Sequence, residues 1–179
     1  MTYTPEVRPE LRPLLVGLLA WMLSPVMRLD ESRHGSERNA IVHDLLDQTL
    51  RGIDSPEAVD KTLSLVQGTE ELMAIDEPDP PMSYRTDVVV LLECALKTAQ
   101  DPESRWLREG VARFEDSLYF LQQAANSTTQ DLAGRLTRHA ADWLASSDGA
   151  NARVALSALA GSQSDVASLV TRAMSEAGM

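Results

Sequence analysis

One cysteine, Cys94, stands among 179 residues, so no intramolecular disulfide can form and no zinc site of several thiolates can be built. That usage fits a reducing compartment, and a cytoplasmic location is expected. Aromatic residues are scarce as well, at 4%. With two Phe, three Tyr and three Trp, the core has to be made of Leu, Val, Ala and Met, a composition that favours helices over a β-sandwich. Lysine is nearly absent, Lys61 and Lys97 accompanying 14 arginines that do not cluster along the chain. Acidic side chains outnumber basic ones by 27 to 16 and set the net charge at −11. Such a charge opposes binding to phosphate backbones and to anionic lipid. Neither nucleic acid nor a membrane is therefore an expected partner.

Long apolar runs are also few. Leu14 to Leu23, LLVGLLAWML, is unbroken and follows Arg8 and Arg12, an arrangement that superficially resembles the core of a signal peptide. Glu6 and Glu10 offset the positive charge, and no small-x-small cleavage site follows in SPVMRLD. The run is also about half the length that a bilayer requires. The expectation is a helix buried on all sides. Val88 to Ala99, VVVLLECALKTA, is the second such run. Its β-branched start could open a strand, but twelve residues with no turn signal inside fit a helix better.

Punctuation marks the remaining elements. Ser55-Pro56-Glu57 and Asp101-Pro102-Glu103 each place a capping side chain before a proline and an acid in the first turn, so each predicts a helix start. Behind the first, Val59, Leu63, Val66 and Met73 keep three-and-four spacing across Gly68; behind the second, Leu107, Val111, Phe114, Leu118, Leu121 and Ala125 do the same. Ile41, Val42, Leu45, Leu46 and Leu50 share a face closed by Gly52. Asp44 and Asp47 should then face water. Leu132, Leu136, Ala140 and Trp143 predict a further helix, and Val154 to Met174 another, interrupted near Gly161.

The prolines concentrate in DEPDPPMS, residues 76–83, where Pro78, Pro80 and Pro81 exclude helix and central strand. This is an extended acidic loop. It need not separate domains, because each half would own one of the two fully apolar helices, and these are expected to pack together. The length suits one core. The fold predicted for residues 1–179 is an all-α, single-domain bundle of about six to eight helices.

The layout resembles the YjaG-like family of small, all-helical bacterial proteins with no established activity. The residues that carry the resemblance are LLVGLLAWMLSP at 14–25, the segment through Gly35, the amphipathic stretch Ile41 to Leu50, and Tyr84 and Asp87 before the Ala/Leu-rich Val88 to Leu96. Where the family has proline, asparagine and an aromatic after the first helix, this chain has Ser24-Pro25-Val26, and Arg85 rather than proline follows Tyr84. The resemblance implies an all-helical fold and carries over no catalytic residue.

No P-loop, dinucleotide fingerprint, EF-hand loop or zinc-protease His pair is present. Glu31 and His34 have the Glu-x-x-His spacing of a di-iron ligand pair, but such a bundle needs two pairs and two further carboxylates. His43 with Asp47, Arg138 with Asp142 and His139 with Asp142 sit at helical spacing. A carboxylate there could orient an imidazole base, although pairs of this kind more often support a helix surface. Cys94 lies in the most apolar segment and is expected to be core. No cofactor, metal or catalytic residue is expected.

The feature that does stand out is charge. Residues 54–82 hold eight acidic side chains against Lys61 alone, more than half of the net charge of −11. A solvated surface is one reading. The functional reading is non-catalytic recognition of a protein partner with a basic surface, of adaptor or immunity type, through Glu70, Glu71, Asp76, Glu77 and Asp79. Two other classes stay open: an enzyme or small-molecule binder with a pocket between helices near His43, His139 or Glu93, and a homo-oligomer joined through the small-residue helix Ala152 to Met174.

Overall fold

The computed structural model describes residues 6–75, 84–148 and 151–179. Among them the chain forms nine α-helical segments and two 3-10 turns, with no strand. In order these are α1 (Arg12–Leu23), α2 (Met27–His34), α3 (Glu37–Gly52), α4 (Pro56–Ile75), α5 (Tyr84–Gln100), α6 (Trp106–Ala124), α7 (Leu132–Ser146), α8 (Ala152–Ala158) and α9 (Ala160–Glu176). The all-α, single-domain bundle expected from the sequence is the fold found. Helices α8 and α9 meet at Leu159, the interruption expected near Gly161. Residues 76–83, the acidic proline-rich loop, lie outside the described residues.

Helix α1 buries Pro13 to Ala20, Met22 and Leu23, leaving only Trp21 of that run partly exposed. A helix apolar on every side can be stable in water only at the centre of a structure, and α1 packs most extensively against α5, the other such helix. Residues 9–31 together are long and apolar enough to cross a membrane, and 72% of the apolar window is buried inside the protein. Helices α4 and α6 flank α5, α3 bridges α1, α4 and α5, and α9 lies against α1 and α6. Gln163 on α9 donates from Nε2 to the Trp21 carbonyl (3.0 Å) and to Ser24 Oγ (3.3 Å), fixing α9 to the end of α1.

The predicted stripes point inward. Val59, Leu63 and Val66 are buried on α4, and Leu107, Val111, Phe114, Leu118, Leu121 and Ala125 are all buried along and just past α6. Gly110 lets α6 approach closely, since a Cβ there would stand 2.8 Å from Val16 Cγ1 and 3.4 Å from Cys94 Cβ. Gly35 ends α2 with φ +80°, a conformation open to glycine, and its N–H reaches the Glu31 carbonyl at 3.0 Å.

The two proline-marked starts behave differently. Ser55 opens α4 as expected, with the Val59 N–H on its carbonyl at 2.9 Å and the Ala58 N–H 3.4 Å from its Oγ. At Asp101-Pro102-Glu103 the helix begins only at Trp106. Asp101 instead makes a turn, its carbonyl accepting from Ser104 N (3.1 Å) and its Oδ1 from Glu103 N (3.2 Å). The Pro102 carbonyl, which a helix would offer to Trp106 N, accepts from Arg12 Nη1 at 2.8 Å. A residue 90 positions away thus displaces the start of α6 by one turn.

Candidate interaction surface

The acidic segment begins in the connection between α3 and α4 and runs along α4. Asp54, Glu57 and Asp60 are exposed, with Lys61 among them. Glu70 and Glu71 belong to the last part of α4, although their side chains lie outside the described residues, as do Asp76, Glu77 and Asp79 altogether. Helix α3 adds exposed Glu37 and Asp44 to the same hairpin. Asp47 is exposed too, but it is bound by Arg51 one turn on. Ile41, expected on the apolar face with Val42, Leu45, Leu46 and Leu50, is instead 50% exposed, because it lies at the edge of that stripe. Leu65, which the sequence reading passed over, is 45% exposed. Leu65 carried a signal, because it stands off the Val59, Leu63 and Val66 stripe by the helical angle.

The titratable groups singled out by spacing find other partners. His43 is exposed on α3, and its expected partner Asp47 is bound by Arg51 instead. Arg138 donates to Asp131 at 2.7 Å. His139 meets α9, its Nδ1 lying 3.0 Å from Ser162 Oγ. Glu93 accepts from Lys97 Nζ at 2.6 Å and from Gln67 Nε2 at 3.3 Å. Glu31 ends in water beside Gly35, and the side chain of His34 lies outside the described residues. Among the described residues no three His, Cys, Asp or Glu side chains gather to hold a metal ion.

Cys94 is 3% exposed on α5, and burial, reinforced by the charges of Glu93 and Glu109, pushes its thiol up to about 12. Such a thiol is not a nucleophile at neutral pH. Asp87, also buried, accepts from Ser117 Oγ at 2.6 Å and from Arg113 Nη1 at 3.3 Å. Burial raises its pKa, against the lowering effect of the Ser117 hydrogen bond and the Arg113 charge. Asp87 thereby ties α5 to α6.

A groove of about 440 Å³ between α7 and α9 is lined by Arg135, His139, Ser162 and Asp165. It brings a hydroxyl and an imidazole together, yet Ser162 is only 3% exposed. The nearby amides of Ser162 and Gln163 are taken by the Leu159 carbonyl at 3.0 and 3.3 Å. Without accessible oxygen and free oxyanion donors the pair lacks the geometry of acyl transfer. Comparison of the chain with protein-family models, with curated proteins and with solved structures returns no match.

Proposed function

We propose that this protein is a non-catalytic recognition module of adaptor or immunity type that binds a protein with a basic surface through the acidic stretch 54–82. The observation that carries the reading is the exposure of Asp54 just before α4 and of Glu57 and Asp60 on it, on a helix that also exposes Leu65. Like charges gathered on one element speed and orient the encounter with an oppositely charged partner. An exposed aliphatic side chain on the same helix offers a contact that is desolvated when a complex forms. Ile41 on α3 extends the apolar contribution. The resemblance to the YjaG-like family supports the all-helical fold and adds no catalytic residue to weigh against this reading.

The test is capture by the purified, tagged protein from its native cytosol at low salt, with a charge-neutral variant alongside. That variant carries Glu70→Gln, Glu71→Gln, Asp76→Asn, Glu77→Gln and Asp79→Asn. A basic protein retained by the native chain and lost by the variant, at unchanged thermal midpoint, is the expected result. Equal retention by both refutes Glu70, Glu71, Asp76, Glu77 and Asp79 as the binding site. A second reading, a small-molecule site, rests on the groove beside His139, and a low-mass compound that co-purifies and is displaced by His139→Ala would favour it.

A further inference from the structure

Large apolar side chains that reach solvent stand singly over most of the surface, at Ile41, Leu65, Val154 and Met179 among the described residues, and single exposures of this kind are ordinary. Helix α6 is different. Tyr119 and Phe120 stand next to each other on its outer side, 58% and 43% exposed. Their ring centroids are 5.4 Å apart with the planes at 76°, an edge-to-face pair. A chain with only two Phe and three Tyr thus leaves one of each in contact with water.

The pair belongs to a second stripe on α6. Asp116, Tyr119, Phe120 and Gln123 follow at i, i+3, i+4 and i+7, one face of a helix, and all four are exposed. Leu107, Val111, Phe114, Leu118 and Leu121 form the stripe on the opposite side and are buried in the bundle. The outer stripe is symmetric about the midpoint between Tyr119 and Phe120. An identical helix laid antiparallel across that midpoint sets Tyr119 against Tyr119 and Phe120 against Phe120. It also sets each Asp116 carboxylate opposite the Gln123 amide of the other copy, a donor that matches it. One turn before Asp116 the same face carries Ala112, small and half-buried, and Arg113, whose Nη1 donates to Asp87 at 3.3 Å.

We infer that this face of α6 is the contact between two copies of the chain, which associate as a two-fold, antiparallel dimer. The occupant is a second copy because the stripe is its own complement, which is what an isologous interface requires. Aromatic side chains are enriched at the centre of interfaces. Here the two rings are already set against each other in the single copy, so little side-chain freedom is lost on association. A contact of about two helical turns is small, and association is correspondingly weak. Two copies of net charge −11 repel each other, and salt screens that repulsion. Salt therefore strengthens the dimer, whereas it weakens the attraction of the acidic stretch 54–82 for a basic partner, and the inference does not rest on that reading.

The experiment is sedimentation velocity of the full chain from about 5 μM to about 500 μM, a range suited to a weak interface. A reversible monomer–dimer equilibrium is expected, shifted toward dimer when sodium chloride is raised from about 0.05 M to about 0.5 M. The double variant Tyr119→Ser, Phe120→Ser should weaken association at least about tenfold. Its thermal midpoint should stay close to that of the native chain, because both side chains are exposed. Gln123→Glu places a carboxylate opposite Asp116 and should weaken the dimer; adding Asp116→Arg replaces the like charges by an ion pair and should restore it. A monomer at every concentration, a dimer weakened by salt, a dimer unaffected in the aromatic variant, or no restoration in the charge-paired variant would overturn the proposal.

Discussion

Asp30 offers the sharpest test of how the bundle is held together. Its carboxylate, 5% exposed on α2, accepts from the backbone N–H of Arg85 at 2.7 Å. Arg85 is the second residue of α5, so Asp30 caps one helix from another and places its charge at the positive end of the α5 dipole. The Arg85 guanidinium is 1% exposed, its Nε 3.9 Å from the same carboxylate oxygen and its Nη1 3.5 Å from Asn39 Oδ1. Asn39 is fixed in turn through Nδ2 to the Met27 carbonyl at 2.8 Å. Removing the carboxylate therefore strands a buried cation and a helix-start amide together. Loss of one member of a buried pair costs about 3 to 5 kcal/mol.

With a urea dependence of about 2 kcal/mol per molar, Asp30→Ala should lower the unfolding midpoint by roughly 1.5 to 2.5 M. Arg85→Met should cost less, since Asp30 keeps the amide bond when the guanidinium is replaced by an apolar chain of similar length. The double variant should be more stable than the two single losses added together, by at least about 1 kcal/mol, because the stranded cation is gone. The measurement is equilibrium urea unfolding of all four proteins followed by circular dichroism. An Asp30→Ala shift under about 0.5 M, or a larger loss in Arg85→Met than in Asp30→Ala, would refute the reasoning.

Two further outcomes are expected. The raised pKa of Cys94 means that the fold favours the neutral thiol, so its contribution is fully present below pH 9 and is lost as pH rises toward about 12. Native protein should resist thiol reagents at neutral pH, and the alkaline loss of stability should be shallower in Cys94→Ala, by up to about 4 kcal/mol for a shift of this size; equal curves would contradict the assignment. Gly110→Ala should destabilise the protein by about 1 to 2 kcal/mol in a thermal melt, because overpacking against the buried Val16 outweighs the helix propensity gained by alanine. A stabilised variant would show that α6 can move away from α1.

How much of this was legible depended on the range of the interaction. The burial of Leu14 to Leu23 and of Val88 to Ala99 could be read directly, because a helix without a polar face has only one place to go. Val59, Leu63 and Val66, and the six apolar positions from Leu107 to Ala125, followed their spacing for the same reason. Pairing by spacing failed at Asp47, which could serve His43 one turn back or Arg51 one turn ahead. The planar guanidinium of Arg51 reaches both oxygens of the Asp47 carboxylate, a fit that an imidazole cannot match. His139 had Asp142 within reach on its own helix and binds Ser162 on another.

The same distinction explains why both α5 and α6 have starts that local sequence cannot define. Asp101-Pro102-Glu103 has every local mark of a helix start, yet the Arg12 guanidinium takes the one carbonyl that would have begun the α6 ladder. At α5 the cap comes from Asp30, 55 residues earlier. In each case a charged side chain on the N-terminal helices α1 and α2 settles a helix end in the middle of the chain. Such contacts have no signature in composition or period, because a capping group recruited across space leaves no residue pattern beside the helix that it caps. Because it accepts from Arg12, the Pro102 carbonyl is lost to the α6 ladder, so one contact from α1 both displaces the start of that helix and leaves its first amides without backbone partners.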